Sequence, residues 1–158
     1  MPTRFRSHLI VSVGVRFDSS VVSAIVVVTP SILETCVAMA SSHAHDAHNV
    51  VVVGMTDEDM AAAANHLRAI GGGQVVVMGG RVVAELPCPI GGLLSDLTFE
   101  EVADRARVLE EAAGELGTTL PSPFMAMSFL ALSVIPELKL TDRGLVDVDR
   151  FELVPLQI

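Results

Sequence analysis

Lysine is nearly missing from this chain: of ten basic residues, Lys139 is the single lysine. Nineteen acidic residues outnumber those ten bases, and the net charge is −9. A chain of that sign repels phosphate backbones, so nucleic acid is not an expected partner. Long apolar runs are missing too. Residues 9–15 and 21–28 are apolar, but a membrane-spanning helix needs about 20 such residues in a row. Arg4 and Arg6 ahead of the first run loosely imitate a signal peptide. Arg16 and Asp18 follow at once, however, and no small-residue cleavage site is in place. The expectation is a soluble, cytoplasmic chain with no membrane partner. Cysteine is limited to Cys36 and Cys88, without a CxxC pair. That pattern reads as two buried small residues in a reducing compartment, not as a disulfide framework.

Two catalytic signatures are also wanting. Gly54 is followed by Asp57, Glu58 and Asp59 where a phosphate would have to sit, and the run Gly71–Gly73 follows a helix instead of opening one. Neither meets the dinucleotide pattern. No G-x-S-x-G elbow points to acyl transfer.

The chain does have apolar material: 51% of its 158 residues, against 18% charged. Disordered chains show the reverse balance. At this length about two-thirds of the unfolded surface can be buried, enough for a core without staples. The charge is unevenly spread. Residues 1–55 are neutral, and residues 56–158 hold seven bases against sixteen acids.

Residues 9–15, 21–28, 35–42 and 50–53 read as strands, the first two and the last rich in β-branched side chains. Thr56 caps a helix over 57–70, with Asp59 completing a capping-box pair and Gly71 ending it. Residues 74–78 and 81–86 read as a hairpin turning at Gly79-Gly80. Thr98 and Glu101 open a second helix running to about Leu116. Residues 124–132, with Met125 and Met127, read as a short buried helix, and 151–154 as a last strand. The expected fold is α+β: a mixed sheet around a β-α-β-β unit at about 50–86, with the helices on one face.

The densest chemistry lies at His43, His45, Asp46 and His48, followed by Asn49. Imidazoles beside a carboxylate suit zinc, manganese, iron or nickel. His43 and His45 project from one side if the chain is extended there. The bland alternative is a polar loop with surface histidines. The order H-A-H-D-A-H misses the metallo-β-lactamase pattern H-x-H-x-D-H, because Asp46 falls one place early.

Three stretches resemble one known family. They are AMASSHAHDAHNVVVVGMTDEDMAAAANHLRAIGGGQVVV (38–77), ELPCPIGGLLSD (85–96) and LPSPFMAMSFLALSVIPELKLTDRGLVDVDRFELVPL (120–156). Their order and spacing are similar to those of the C-terminal domain of adenine deaminases. The resemblance implies that residues 37–158 are that domain and that 1–36 form an atypical valine-rich N-terminal segment. Family members usually approach the domain through a Gly- and Lys/Arg-rich stretch.

The complete family enzyme resembles other amidohydrolases. Its (β/α)₈ barrel holds a metal pair, manganese or iron, that activates water against C6 of adenine. Such a barrel needs about 250 residues, so the resemblance implies that this chain is catalytically incomplete alone. The expected partners are adenine, for the complete enzyme, and a barrel domain or subunit. Self-association is left open. His45, Asp46, His48 and Asn49 match the family's H-D-x-H-N as a candidate polar site, while His43 replaces a small or apolar residue. Two other readings stand beside this one. One is a self-contained metal-binding module on His43, His45, Asp46 and His48. The other is a docking module whose sign would be an exposed apolar patch, from 9–28 or 124–135.

Overall fold

The computed structural model describes residues 9–17, 20–28, 37–45, 47–118, 120–141 and 143–155. Six strands form one sheet: β1 (Leu9–Phe17), β2 (Ser20–Val28), β3 (Val37–Ser41), β4 (Val50–Gly54), β5 (Gly73–Met78) and β6 (Arg81–Pro87). Their order is β1-β2-β4-β3-β5-β6. The β2–β4 pair is parallel and the other pairs are antiparallel, so the sheet is mixed, as expected.

The β-α-β-β unit is present, with one strand inserted. β4, helix α1 (Asp57–Ala69) and β5 follow one another in the chain, but β3 lies between β4 and β5 in the sheet. The cause is in the composition of β3. Val37, Ala38, Met39 and Ala40 are all buried, so this strand needs cover on both faces and belongs in the centre.

The two faces take different helices. Ala38, Ala40, Val52, Val75 and Val77 pack with Met60, Ala63, Ala64 and Leu67 of α1. Their neighbours Val37, Met39, Val51 and Val76 point the other way, into a core with Leu109, Ala113, Phe124 and Met127. Those four come from α2 (Phe99–Glu115) and α3 (Pro123–Ser128). The α+β class and the mixed sheet therefore hold, while the helices, expected on one face, flank both. Continuous apolar strands dictate this, since successive side chains alternate sides. Among the described residues, no helix is long and apolar enough to cross a membrane.

The helix ends follow their sequence signals closely. Gly71 N–H donates to Arg68 O and Gly72 N–H to Leu67 O at the end of α1, a Schellman pair with Gly71 at φ 81°. The box at Thr98 closes in both directions: Glu101 N–H donates to Thr98 Oγ1, and Thr98 N–H to the Glu101 carboxylate. At Thr56 only half a box forms. Thr56 Oγ1 accepts from Asp59 N–H, but the Asp59 carboxylate is buried and accepts from Gly80 N–H at 2.5 Å instead. Aspartate is one methylene shorter than the glutamate that box normally uses. Here it pins the β5–β6 turn onto α1.

A second sheet of three short strands was mostly unforeseen: β7 (Leu138–Thr141), β8 (Gly144–Asp147) and β9 (Glu152–Val154). The expected strand over 151–154 starts one residue later, because Phe151 has φ 53° and is exposed. Leu140 anchors the sheet in the larger core.

A histidine-lined cleft beside the sheet

The chain between β3 and β4 carries the histidine cluster. It is folded back on itself and is not extended. Ala47 N–H donates to His45 O at 2.8 Å and His48 N–H to Ala44 O at 3.1 Å, and His48 has φ 48°. Histidine tolerates that left-handed conformation better than most residues. At the start of the loop, Ser42 Oγ accepts from Gly73 N–H at 2.7 Å and donates to Gly92 O at 2.5 Å. The loop is thereby fastened to the glycine corner after α1 and to the loop after β6.

His43, His45 and His48 all line one cleft of about 400 Å³, with Gln74, Leu93, Phe124, Met125 and Ser128 among its other walls. The structure thus brings three of the expected residues together. Asn49 is half-buried just before β4. Asp46 lies outside the described residues.

Each imidazole has its own engagement. His43 Nε2 lies 2.9 Å from Leu93 O, which can only accept, so Nε2 carries the hydrogen. In the neutral ring Nδ1 is then a bare acceptor. It is buried and has no hydrogen-bond partner among the described residues. The His45 ring stacks on Phe129, with centroids 4.7 Å apart and planes at 38°. His45 N–H also donates to Ser128 O at 3.0 Å, tying the loop to α3. Among the described residues, no group of three His, Cys, Asp or Glu side chains is placed to hold a metal ion.

Met125 departs from expectation. Expected in the buried packing with Met127, it is exposed on the cleft rim, while Met127 is buried. With six residues, α3 is too short to bury every side. Gln74, Phe124, Ser128 and Phe129 were not foreseen as neighbours of the histidines. Their sequence distance from residue 45 hides a proximity that the β3–β5 pairing and the seat of α3 create. Elsewhere, His66 on α1 meets Glu85 on β6 at 2.5 Å, and Arg105 of α2 approaches the same carboxylate at 3.8 Å. Burial pushes the Cys88 thiol up from its ordinary value, consistent with an inert buried residue. Cys36 lies outside the described residues.

Fold and cleft together define a small α+β domain with sheet-edge loops gathered into an open, imidazole-lined concavity. The family is more specific. The model of the adenine deaminase C-terminal domain matches residues 7–152, and the chain belongs to that family. The match begins inside the segment 1–36.

Similar proteins include the adenine deaminase of Methylobacterium nodulans, 60% identical over 117 residues. That stretch is 74% of this chain and 21% of that protein. The adenine deaminase of Brucella anthropi is 58% identical over 117 residues, again 74% of this chain and 21% of the relative. That of Cereibacter sphaeroides is 58% identical over 118 residues, 75% and 21% respectively. The chain spans about a fifth of the length of the curated relatives it matches.

Proposed function

We propose that this chain serves as the C-terminal part of an adenine deaminase and works together with the remaining part of such an enzyme. The observation that carries this reading is the 60% identity to a protein of that name over a stretch that is 21% of its length. In the complete reaction water adds at C6 of adenine, the exocyclic C–N bond breaks, ammonia leaves and hypoxanthine remains.

Manganese or iron held by the barrel part would supply the activated water. The described residues of this chain do not fit such a metal centre: His43 Nε2 is engaged by Leu93 O, and the His45 ring lies against Phe129. This chain's contribution is to present a shaped surface. His45, Asp46, His48 and Asn49 form the candidate polar site on it, within a family-like unit spanning 37–158, and residues 1–36 are a valine-rich lead-in. The working enzyme is cytoplasmic, takes adenine as its small-molecule partner and engages neither nucleic acid nor membrane. A self-contained metal module on His43, His45, Asp46 and His48 is not favoured by the family membership.

The test is adenine turnover, read as hypoxanthine by chromatography. The purified chain with added manganese or iron is expected to give none. The M. nodulans enzyme with its matching fifth replaced by this chain is expected to give turnover. Hypoxanthine from the chain alone, or a folded but inert chimera, would overturn the reading.

A further inference from the structure

Among the described residues, several large apolar side chains stand exposed together around α3. Met125 is 57% exposed, Phe129 38%, Val134 68%, Ile135 39% and Leu138 53%. Phe129, Ile135 and Leu138 line a groove of about 380 Å³ on one side of α3. Met125 lies on the other side, in the wall of the histidine cleft. The stacked pair His45–Phe129 joins the two concavities. Among the described residues that line the two concavities, Lys139 is the single Asp, Glu, Lys or Arg.

The other helical surfaces look different. The outer side of α2 exposes Glu100, Asp104, Arg107, Glu110 and Glu111, and that of α1 exposes Asp57, Glu58 and Arg68. Contiguous exposed apolar patches mark interaction sites, and interface centres are depleted in charge. The concavity at Val82, Val83 and Val108 also exposes apolar side chains, but Glu85, Asp104 and Arg105 line it, so the charge-poor surface around α3 meets both criteria.

We infer that the groove and cleft around α3 are the seat of the remaining four-fifths of the adenine deaminase polypeptide, with Phe129, Ile135 and Leu138 as the apolar anchor and the histidine loop at its border. This rests on the proposed function. The choice of occupant follows from length. In relatives of which this chain matches 21%, the rest of the polypeptide is covalently attached. A linked segment acts at a high effective concentration, so it outcompetes a second copy for the same patch.

Site-resolved thiol labelling tests the inference. Met125→Cys, Ile135→Cys and, as a control on α2, Val108→Cys are each made in the isolated chain and in the full-length M. nodulans chimera. Labelling is read by peptide mass. At positions 125 and 135 the chimera is expected to label about tenfold or more slowly than the isolated chain, a protection of ~1.4 kcal/mol. Position 108 should label alike in both. Equal labelling at 125 and 135 in the two contexts would overturn the inference. So would protection in the isolated chain that grows with its concentration, which would assign the patch to a second copy. Adenine turnover by the same chimera separates the two ideas: protection without turnover retains the docking surface and sinks the proposed activity.

Discussion

The two faces of the central sheet are covered in different ways. On the α1 face small residues meet small residues: Ala38 and Ala40 of β3 lie under Ala63 and Ala64. That closeness leaves no spare room. A Cβ on Gly54 would come within 2.5 Å of the Met60 side chain. Outside, α1 presents charge to solvent. On the other face the core is built from larger side chains, Leu109, Phe124 and Met127, and its cover is incomplete. α3 is one and a half turns long and leaves Met125 and Phe129 outside. Over β3, β4 and β5, α1 covers one face with small side chains, whereas the other face ends in the exposed Met125 and Phe129 at α3.

The comparison predicts a graded series of effects. The largest lies at the corner both faces share. Gly73 has φ 131°, and a Cβ there would fall 2.0 Å from Leu86 O, a backbone atom that cannot step aside. Gly73→Ala combines backbone strain with overpacking and is expected to cost about 3–5 kcal/mol in denaturant unfolding of the chain.

Next come the two cores. Leu67→Ala on the α1 face and Leu109→Ala on the other each empty a fully buried site. Each should cost about 3 kcal/mol. A much smaller loss at Leu109 would show the second core to be loosely packed, and the contrast would then lie in the cores as well as the rims.

Capping is smaller again. Thr98→Ala removes the hydroxyl that accepts from Glu101 N–H and should cost about 1 kcal/mol. It also has a pH signature. Hydrogen bonds from the Thr98 backbone and hydroxyl hold the Glu101 carboxyl below its usual range. The unfolded chain therefore takes up that proton first as pH falls. The stabilisation is complete above the ordinary carboxylate range and is lost as pH drops through the lowered folded value. Thr98→Ala should flatten that part of the stability–pH curve only in part, because the backbone N–H at 98 still donates to Glu101.

The smallest expected effects are at the rim. Met125→Ser and Val134→Ser, at 57% and 68% exposed positions, should each change the isolated chain's stability by no more than about 0.5 kcal/mol. A loss like that of Leu109→Ala would mean the patch belongs to the domain's own core and would erase the comparison.

The sequence was most legible where signals are local. Thr56, Thr98, Gly71 and the Gly79-Gly80 turn mark element ends through hydrogen bonds within a few residues, and the structure agrees at each. The central place of β3 was less legible, since its pairing with β4 and β5 is settled by packing between distant segments. Between β7 and β8, Thr141 and Gly144 bound a turn legible in the sequence, but the two strands are not, because they are four residues each and only half buried, too short for alternation to register. In the site, residue types announced the cluster at His43, His45 and His48. What they could not announce was how each ring is occupied, because Leu93 and Phe129 reach them from other loops.

The proposed docking surface lies at α3 and the histidine loop, away from α1. Amide hydrogen exchange measures it directly, comparing peptides of the isolated chain with the same peptides in the full-length M. nodulans chimera. The account predicts that exchange slows in the chimera across 123–138 and the loop 42–49, and is unchanged in α1. Unchanged exchange across 123–138, or slowing centred on α1 instead, would contradict it.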